Sequence, residues 1–205
     1  MHSTVTGRAV TLIGGPARVG KTTLARRLVV NSPVELVHLD HLLHAVTSVA
    51  DADARASLQK APSIDNCSPD RWLSEIRQRD RVLWTAASAY IATAAADMGQ
   101  LVMEGGLWPD WVRGLPGEYV AVFLVDTGDS ADRLVDVARA DPRSWMAKRN
   151  WPEDKMRRWA DYNRLRSEMI ADLACEHGYP VFDIRDGIGP AIDRAFRELN
   201  SSAVH

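Results

Sequence analysis

The sequence is poor in cysteine, in long apolar runs and in net charge. Its 205 residues include two cysteines, Cys67 and Cys175, which lie far apart and fit no metal-binding spacing, so a reduced, cytoplasmic protein is expected. No apolar run approaches the roughly 20 residues of a membrane-spanning helix, and the N-terminus shows no signal-peptide pattern. The net charge of −2 gives no basic field for a polyanion. We therefore expect neither a membrane nor a nucleic acid polymer as a partner.

What the chain has instead is an alternation of short apolar runs with longer helical patterns. Five such runs have the roughly 4–8 residues usual for buried strands. They are AVTLIG (9–14), VELVHLD (34–40), QLVMEGG (100–106), YVAVFLVD (119–126) and YPVFDI (179–184). This alternation is typical of parallel βαβ units, and the length fits a single α/β domain spanning residues 1–205.

Two connections are longer than a crossover requires. Residues 41–99 separate the second and third predicted strands, and residues 139–155, rich in Arg, Lys, Trp and Pro, lie between two predicted helices. Within the first connection, Ser68 begins a helix that we expect to break near Asp80. Both connections are candidates for functional insertions.

The segment GGPARVGKTT, residues 14–23, follows the first strand and begins a helix. It matches the phosphate-loop pattern G-x-x-x-x-G-K-[ST], with Thr23 directly after it. The predicted nucleotide-binding residues are Gly15, Pro16, Ala17, Arg18, Val19, Gly20, Lys21, Thr22 and Thr23. Glycines let backbone N–H groups turn towards a phosphate, which also lies at the positive end of the helix. Lys21 is expected to reach the β- and γ-phosphates, and the Thr22 hydroxyl to bind Mg²⁺.

Several signatures of other nucleotide-binding proteins are missing. There is no guanine-reading N-K-x-D, no L-S-G-G-Q, and no pair of acids at the end of the third strand, which offers Glu104 alone. These absences disfavour a GTPase, a transporter subunit or a motor ATPase.

With these features in order, the chain resembles the P-loop small-molecule kinases, which include nucleoside and nucleotide kinases, shikimate and gluconate kinases and chloramphenicol phosphotransferase. The resemblance rests on GGPARVGKTT, on VHLDHLLH after the second strand, on LVMEGG at the third and on an arginine-rich segment after the fourth. It implies a three-layer α/β/α sandwich with a five-stranded parallel sheet in the order 2-3-1-4-5. It also implies ATP and Mg²⁺ at the loop, a helical acceptor-site insertion over 41–99 and a short lid over 139–155.

Asp40, at the end of the predicted second strand, bears on the acceptor. A kinase that acts on a hydroxyl needs a carboxylate near the γ-phosphate to orient that hydroxyl and accept its proton, whereas a phosphate acceptor does not. We therefore expect transfer to a hydroxyl of a small molecule, with His41 as a further acceptor contact. In the alternative, a nucleoside monophosphate kinase, Arg77, Arg79 or Arg81 would face the loop. A regulatory module that binds ATP with little transferase activity is the other alternative.

Four more residues complete the predicted site. Glu104 is expected to hold Mg²⁺ through water or to hydrogen-bond the acceptor. Trp108 is expected either to wall the acceptor pocket or to pack in the core. In the resembling kinases the lid contributes arginines to the phosphates, and Arg139 and Arg149 are the candidates here because they flank the predicted hinge.

Overall fold

A five-stranded parallel sheet forms the centre of the molecule. The computed structural model describes residues 10–30, 33–59, 63–97, 100–129, 131–140 and 145–201. The strands are β1 (Val10–Gly14), β2 (Glu35–His38), β3 (Leu101–Glu104), β4 (Tyr119–Val125) and β5 (Val181–Asp183). Their spatial order is β2-β3-β1-β4-β5, with every neighbouring pair parallel. The predicted fold class and strand order are confirmed.

Helices cover both faces of this sheet. They are α1 (Lys21–Val29), α2 (Leu39–Val49), α3 (Ala52–Gln59), α4 (Pro69–Asp97), α5 (Pro109–Val112), α6 (Ala131–Ala140), α7 (Trp145–Lys148), α8 (Glu153–Glu176) and α9 (Ile188–Ser201). Among the described residues, no helix combines the length and apolarity needed to cross a membrane. Residues 60–62 and 98–99 of the predicted insertion, and 141–144 of the predicted lid, lie outside the described residues.

The core divides into two layers because successive side chains of a strand point to opposite faces. Leu12 of β1 belongs to a cluster formed with α4 and α8, whereas Ile13 belongs to one formed with α1 and α9. All five residues of β1 are buried, as expected for a central parallel strand covered on both faces.

The register of the strands brings the functional segments to one edge of the sheet. Ile13 and His38 both lie opposite Glu104, so the carboxyl ends of β1, β2 and β3 are level. The phosphate loop leaves β1 at this edge, and α2 begins there directly after β2. In open α/β sheets this edge is where ligands bind.

Two predicted boundaries are wrong. The second strand ends at His38, so Asp40 lies in the first turn of α2, where His38 is the N-cap residue. The helix that begins near Ser68 continues through Asp80 as the 29-residue α4. Asp80 does not break it because its carboxylate is buried and accepts hydrogen bonds from Trp108 and Arg166, partners that are distant in the sequence.

Candidate functional site

The phosphate loop connects β1 to α1 through backbone conformations that favour glycine. Gly15 and Gly20 have φ values of +138° and +93°. A Cβ atom on Gly15 would lie 2.0 Å from the carbonyl oxygen of Leu124, so no larger residue fits there. Helix α1 begins at Lys21 and directs its positive end towards the loop. This geometry fits a bound polyphosphate.

Lys21 is a partly buried cation inside this loop. Its ammonium group donates a hydrogen bond to the carbonyl oxygen of Pro16. Burial lowers the pKa of Lys21 to about 8, and the nearby carboxylates of Glu104 and Asp40 oppose part of that decrease. The phosphates of a bound nucleotide would place negative charge against the ammonium group, and this charge would favour its protonated form.

Thr22 and His38 both contact the carboxylate of Glu104. The Thr22 hydroxyl donates to Glu104 Oε1 over 2.9 Å, and His38 Nδ1 lies 2.6 Å from the same oxygen. A hydroxyl and a carboxylate are hard oxygen donors of the kind that Mg²⁺ prefers. The described residues contain no group of three or more His, Cys, Asp or Glu side chains that could hold a metal. Thr22 and Glu104 therefore fit a Mg²⁺ ion that would take its remaining ligands from phosphates and water.

A cleft of about 370 Å³, here called the transfer cleft, joins the loop to the residues after β2 and β3. Asp40 lines it beside Lys21, Thr22 and Glu104, so the four predicted residues share one cavity. Helical spacing puts Leu39, Asp40 and Leu43 on the side of α2 that faces it. A carboxylate and a phosphate loop thus face the same space.

Two guanidinium groups in the transfer cleft, that of the buried Arg166 and that of the partly buried Arg79, share one carboxylate. Asp80 Oδ2 accepts from Arg166 at 2.7 Å, and Asp80 Oδ1 accepts from Arg79 at 2.7 Å. Burial lowers the pKa of Arg166, and its Nε is buried without a hydrogen-bond partner in the described part of the chain. Because two cations face one anion, the cluster carries a net positive charge and favours a ligand anion.

Sequence reasoning missed Arg166. It lies on α8, four residues after Tyr162 and four before Ile170, on the face that packs against the core. An arginine that falls on the apolar face of a helix was the available signal, because such a cation needs a buried partner.

The predicted residues Trp108, His41 and Arg139 do not line the transfer cleft, and Arg149 lines a neighbouring cleft instead. Trp108 is fully buried in the core, and its indole N–H donates to Asp80 over 3.0 Å. His41 is exposed, with its ring centroid 4.9 Å from that of His38, because it lies on a different side of α2 from Asp40. Arg139 is exposed and pairs with Glu153.

The three arginines of α4 have different environments. Arg77 pairs with Asp110, and Arg81 is exposed above the Trp111 ring, so neither lines the transfer cleft. Arg79 does line it. An arginine that faces the phosphate loop, as expected of a phosphate acceptor site, is therefore present at one of the three positions.

A neighbouring cavity of about 310 Å³ lies on the other side of the α1 N-terminus. It is lined by Arg18, Thr23 and Arg133 together with the exposed apolar side chains of Val137 and Ile188. This cavity is continuous with the loop through Lys21 and Thr22, which line both. Apolar groups beside a phosphate site suit the base of a nucleotide.

Comparison with known proteins agrees with the fold. No protein-family model matches the sequence, and no curated protein matches it either. Among solved structures, the chain is similar to a gluconokinase from Sinorhizobium meliloti 1021 (TM-score 0.57, 14% identity, 97% of this chain and 95% of that one). It is also similar to a sugar kinase from Janibacter sp. HTCC2649 (0.54, 14%, 96% and 98%) and to a shikimate kinase from Acinetobacter baumannii in complex with shikimate (0.52, 16%, 95% and 92%). At this identity the similarity shows the fold alone, which this chain shares with these three kinases.

Proposed function

We propose that this protein transfers the γ-phosphoryl group of Mg·ATP to a hydroxyl of a small molecule. The observation that carries the proposal is the position of Asp40, which lines the same cleft as Lys21, Thr22 and Glu104. A protein that only bound the nucleotide would need no carboxylate in the cleft that contains the phosphate loop. The kinase fold of the structural neighbours supports the same proposal.

Each residue has a defined task in this reaction. Lys21 and the loop amides would hold the β- and γ-phosphates. Thr22 and Glu104 would hold Mg²⁺ directly or through water, and the bound ion would neutralise phosphate charge. Asp40 orients the acceptor hydroxyl and accepts its proton as that oxygen bonds to the γ-phosphorus and the bond to the bridging β–γ oxygen breaks. Arg149, in the lid, stabilises the charge on the transferring group.

The charge of the cleft narrows the acceptor class. Arg79 and Arg166 carry one more charge than Asp80 neutralises, so the acceptor that fits best carries a carboxylate or phosphate as well as its hydroxyl. A gluconokinase and a shikimate kinase in complex with shikimate are among the structural neighbours, and gluconate and shikimate are both hydroxy acids.

A nucleoside monophosphate kinase is the second candidate. It is favoured by Arg79, which faces the cleft that contains the loop and would clamp an acceptor phosphate. Asp40 argues against it, because a phosphate monoester has no proton that must be removed before it attacks. The remaining alternative is a regulatory module, which would bind Mg·ATP but form no phosphorylated product.

The test is phosphoryl transfer from γ-labelled ATP to a panel of hydroxy acids, sugars, phosphorylated sugars, nucleosides and nucleoside monophosphates. We expect label in a hydroxy acid or phosphorylated sugar, and none with a Lys21→Ala variant that keeps the wild-type circular dichroism spectrum. Label confined to nucleoside diphosphates would establish the second candidate. ATP binding with label in no acceptor would contradict the proposal.

A further inference from the structure

A second cleft lies beside the transfer cleft, on the side of the predicted lid. Its volume is about 480 Å³, within the range of roughly 300–1,000 Å³ typical of small-molecule sites. Three tryptophans line it, Trp72, Trp151 and Trp159, together with the apolar side chains of Ile64 and Ile76. We call it the aromatic cleft. Neither the loop chemistry nor the proton acceptor in the transfer cleft requires this volume.

The walls of the aromatic cleft are built by packing and hydrogen bonds. Trp72 and Trp159 are 5% and 8% exposed, and the Trp72 ring lies 5.4 Å from that of Tyr162, so this wall is part of the core. At the rim, the ammonium group of Lys155 lies 5.0 Å from the Trp151 ring centroid and also pairs with Asp65. The tryptophans therefore have defined positions in the absence of a ligand.

The two clefts meet at the guanidinium pair. Arg79 and Arg166 line both of them, as does Ala17 of the phosphate loop. Asn163, which also lines the aromatic cleft, donates from its side-chain amide to the Ala17 carbonyl oxygen over 3.1 Å. A ligand whose anionic group lies at the two arginines can thus extend one way to Asp40 and the other way to the tryptophans.

From this arrangement we infer that the acceptor carries an aromatic ring, which binds among Trp72, Trp151 and Trp159, in addition to its hydroxyl and its anionic group. The inference rests on the proposed function and names its substrate class as aromatic hydroxy acids. A small polar acid fills the transfer cleft alone and leaves the aromatic cleft to water. A ring next to the carboxylate removes apolar surface from water and packs against indole faces, which tightens binding by about 2- to 10-fold for each aromatic pair beyond the effect of the area buried.

The test compares two hydroxy acids that differ only in the ring, 3-phenyllactate and lactate. Their dissociation constants are measured by ligand-observed NMR on the full chain with Mg²⁺ and a non-hydrolysable ATP analogue. We expect phenyllactate to bind at least about tenfold more tightly than lactate. Trp151→Ala, a partly exposed rim position, should weaken phenyllactate by about 2- to 10-fold and leave lactate unchanged.

Trp84→Ala is the matched control, because Trp84 is also partly buried but packs against Trp111 and lines neither cleft. Its phenyllactate affinity should equal that of the wild type. Equal affinities for the two acids, or a Trp151→Ala variant that binds phenyllactate normally, would overturn the inference.

Transfer of label to the acids is measured in parallel. Phosphorylation of both acids without a preference for the ring would support the proposed kinase function and contradict the aromatic site. Ring-dependent binding with no transfer to any acceptor keeps the aromatic site and removes the kinase function.

Discussion

The hydroxyl of Thr22 and the carboxylate of Glu104 lie 2.9 Å apart although 82 positions separate them in the chain. Thr22 belongs to the first turn of α1 and Glu104 ends β3, and the pairing of β1 with β3 brings these two ends together. His38, from the end of β2, lies 2.6 Å from the same Glu104 oxygen. Residues from the end of β2, the end of β3 and the first turn of α1 thus meet at one carboxylate, beside the loop that would hold the phosphates.

Replacement of Glu104 should change the metal requirement of the reaction. Glu104→Gln keeps the shape but removes the charge, so we expect half-maximal activity to need about 10- to 100-fold more Mg²⁺. The measurement is initial rate against Mg²⁺ at saturating ATP. Glu118→Gln, an exposed position, serves as the control. An unchanged Mg²⁺ requirement in Glu104→Gln would remove Glu104 from the metal site.

The lowered pKa of Lys21 predicts an alkaline limb in nucleotide binding. In the free protein Lys21 loses its charge as the pH rises through about 8, whereas bound phosphates favour the charged form and raise the pKa in the complex. We therefore expect kcat/KM for ATP to fall above about pH 8, while kcat stays constant to higher pH. A kcat/KM that remains flat to pH 10 would contradict the lowered pKa.

The same shift affects stability. Between about pH 8 and the ordinary pKa of 10.5, the unfolded chain holds a proton on Lys21 that the folded chain does not. The free energy of unfolding contributed by this group therefore rises with pH across that window. Lys21→Met has no such group, so its stability relative to wild type should decrease from pH 8 to pH 10.5, as urea denaturation can measure.

Loss of the Asp40 carboxylate should separate transfer from nucleotide binding. Asp40→Asn retains the size of the side chain but cannot accept a proton, so we expect the transfer rate to fall about 10²- to 10⁴-fold. The dissociation constant of Mg·ATP, measured by calorimetry, should stay near that of the wild type. If transfer continues at close to the wild-type rate, a hydroxyl acceptor is no longer supported and a phosphate acceptor becomes the better hypothesis.

Asp80 is expected to matter for stability more than any exposed ion pair. Asp80→Ala leaves the buried guanidinium of Arg166 without its counter-charge, which costs about 3–5 kcal/mol. Urea denaturation followed by circular dichroism measures this loss. Asp65→Ala removes the partner of Lys155 at an exposed site, where little change is expected. Equal losses in the two variants would mean that the buried cluster contributes no more than a surface pair.

The two predicted lid arginines should differ in their effect on turnover. Arg149 lines the aromatic cleft beside the guanidinium pair, whereas Arg139 is exposed and pairs with Glu153. We expect Arg149→Ala to lower kcat at least about tenfold and Arg139→Ala to leave it within about twofold of wild type. The reverse order in steady-state rates would show that the lid rearranges when substrates bind.

Much of the fold could be predicted because its signals are local. The strands are short apolar runs, the phosphate loop is a contiguous motif, and the proline and glycine that favour helix ends, Pro152 and Gly178, flank α8. The predicted break at Asp80 was wrong because a single acid in a helical pattern does not show whether tertiary partners will satisfy it. The sequence also did not show which tryptophans pack in the core and which line a cavity. Trp108 is in the core, whereas Trp72, Trp151 and Trp159 line a cavity.

The sequence by itself determined the parallel sheet and the phosphate loop. The strands are short apolar runs that alternate with helical patterns, and the loop is one contiguous motif, so both can be recognised from neighbouring residues. It also placed Lys21 and Thr22 in that loop, since both positions are fixed by the spacing within one motif. Only the tertiary structure decided which arginines line the transfer cleft and which tryptophans line the aromatic cleft. Those choices depend on how α4 and α8 pack over the sheet, where residues such as Asp80 and Arg166 meet across 86 positions and satisfy each other's charge in a buried environment.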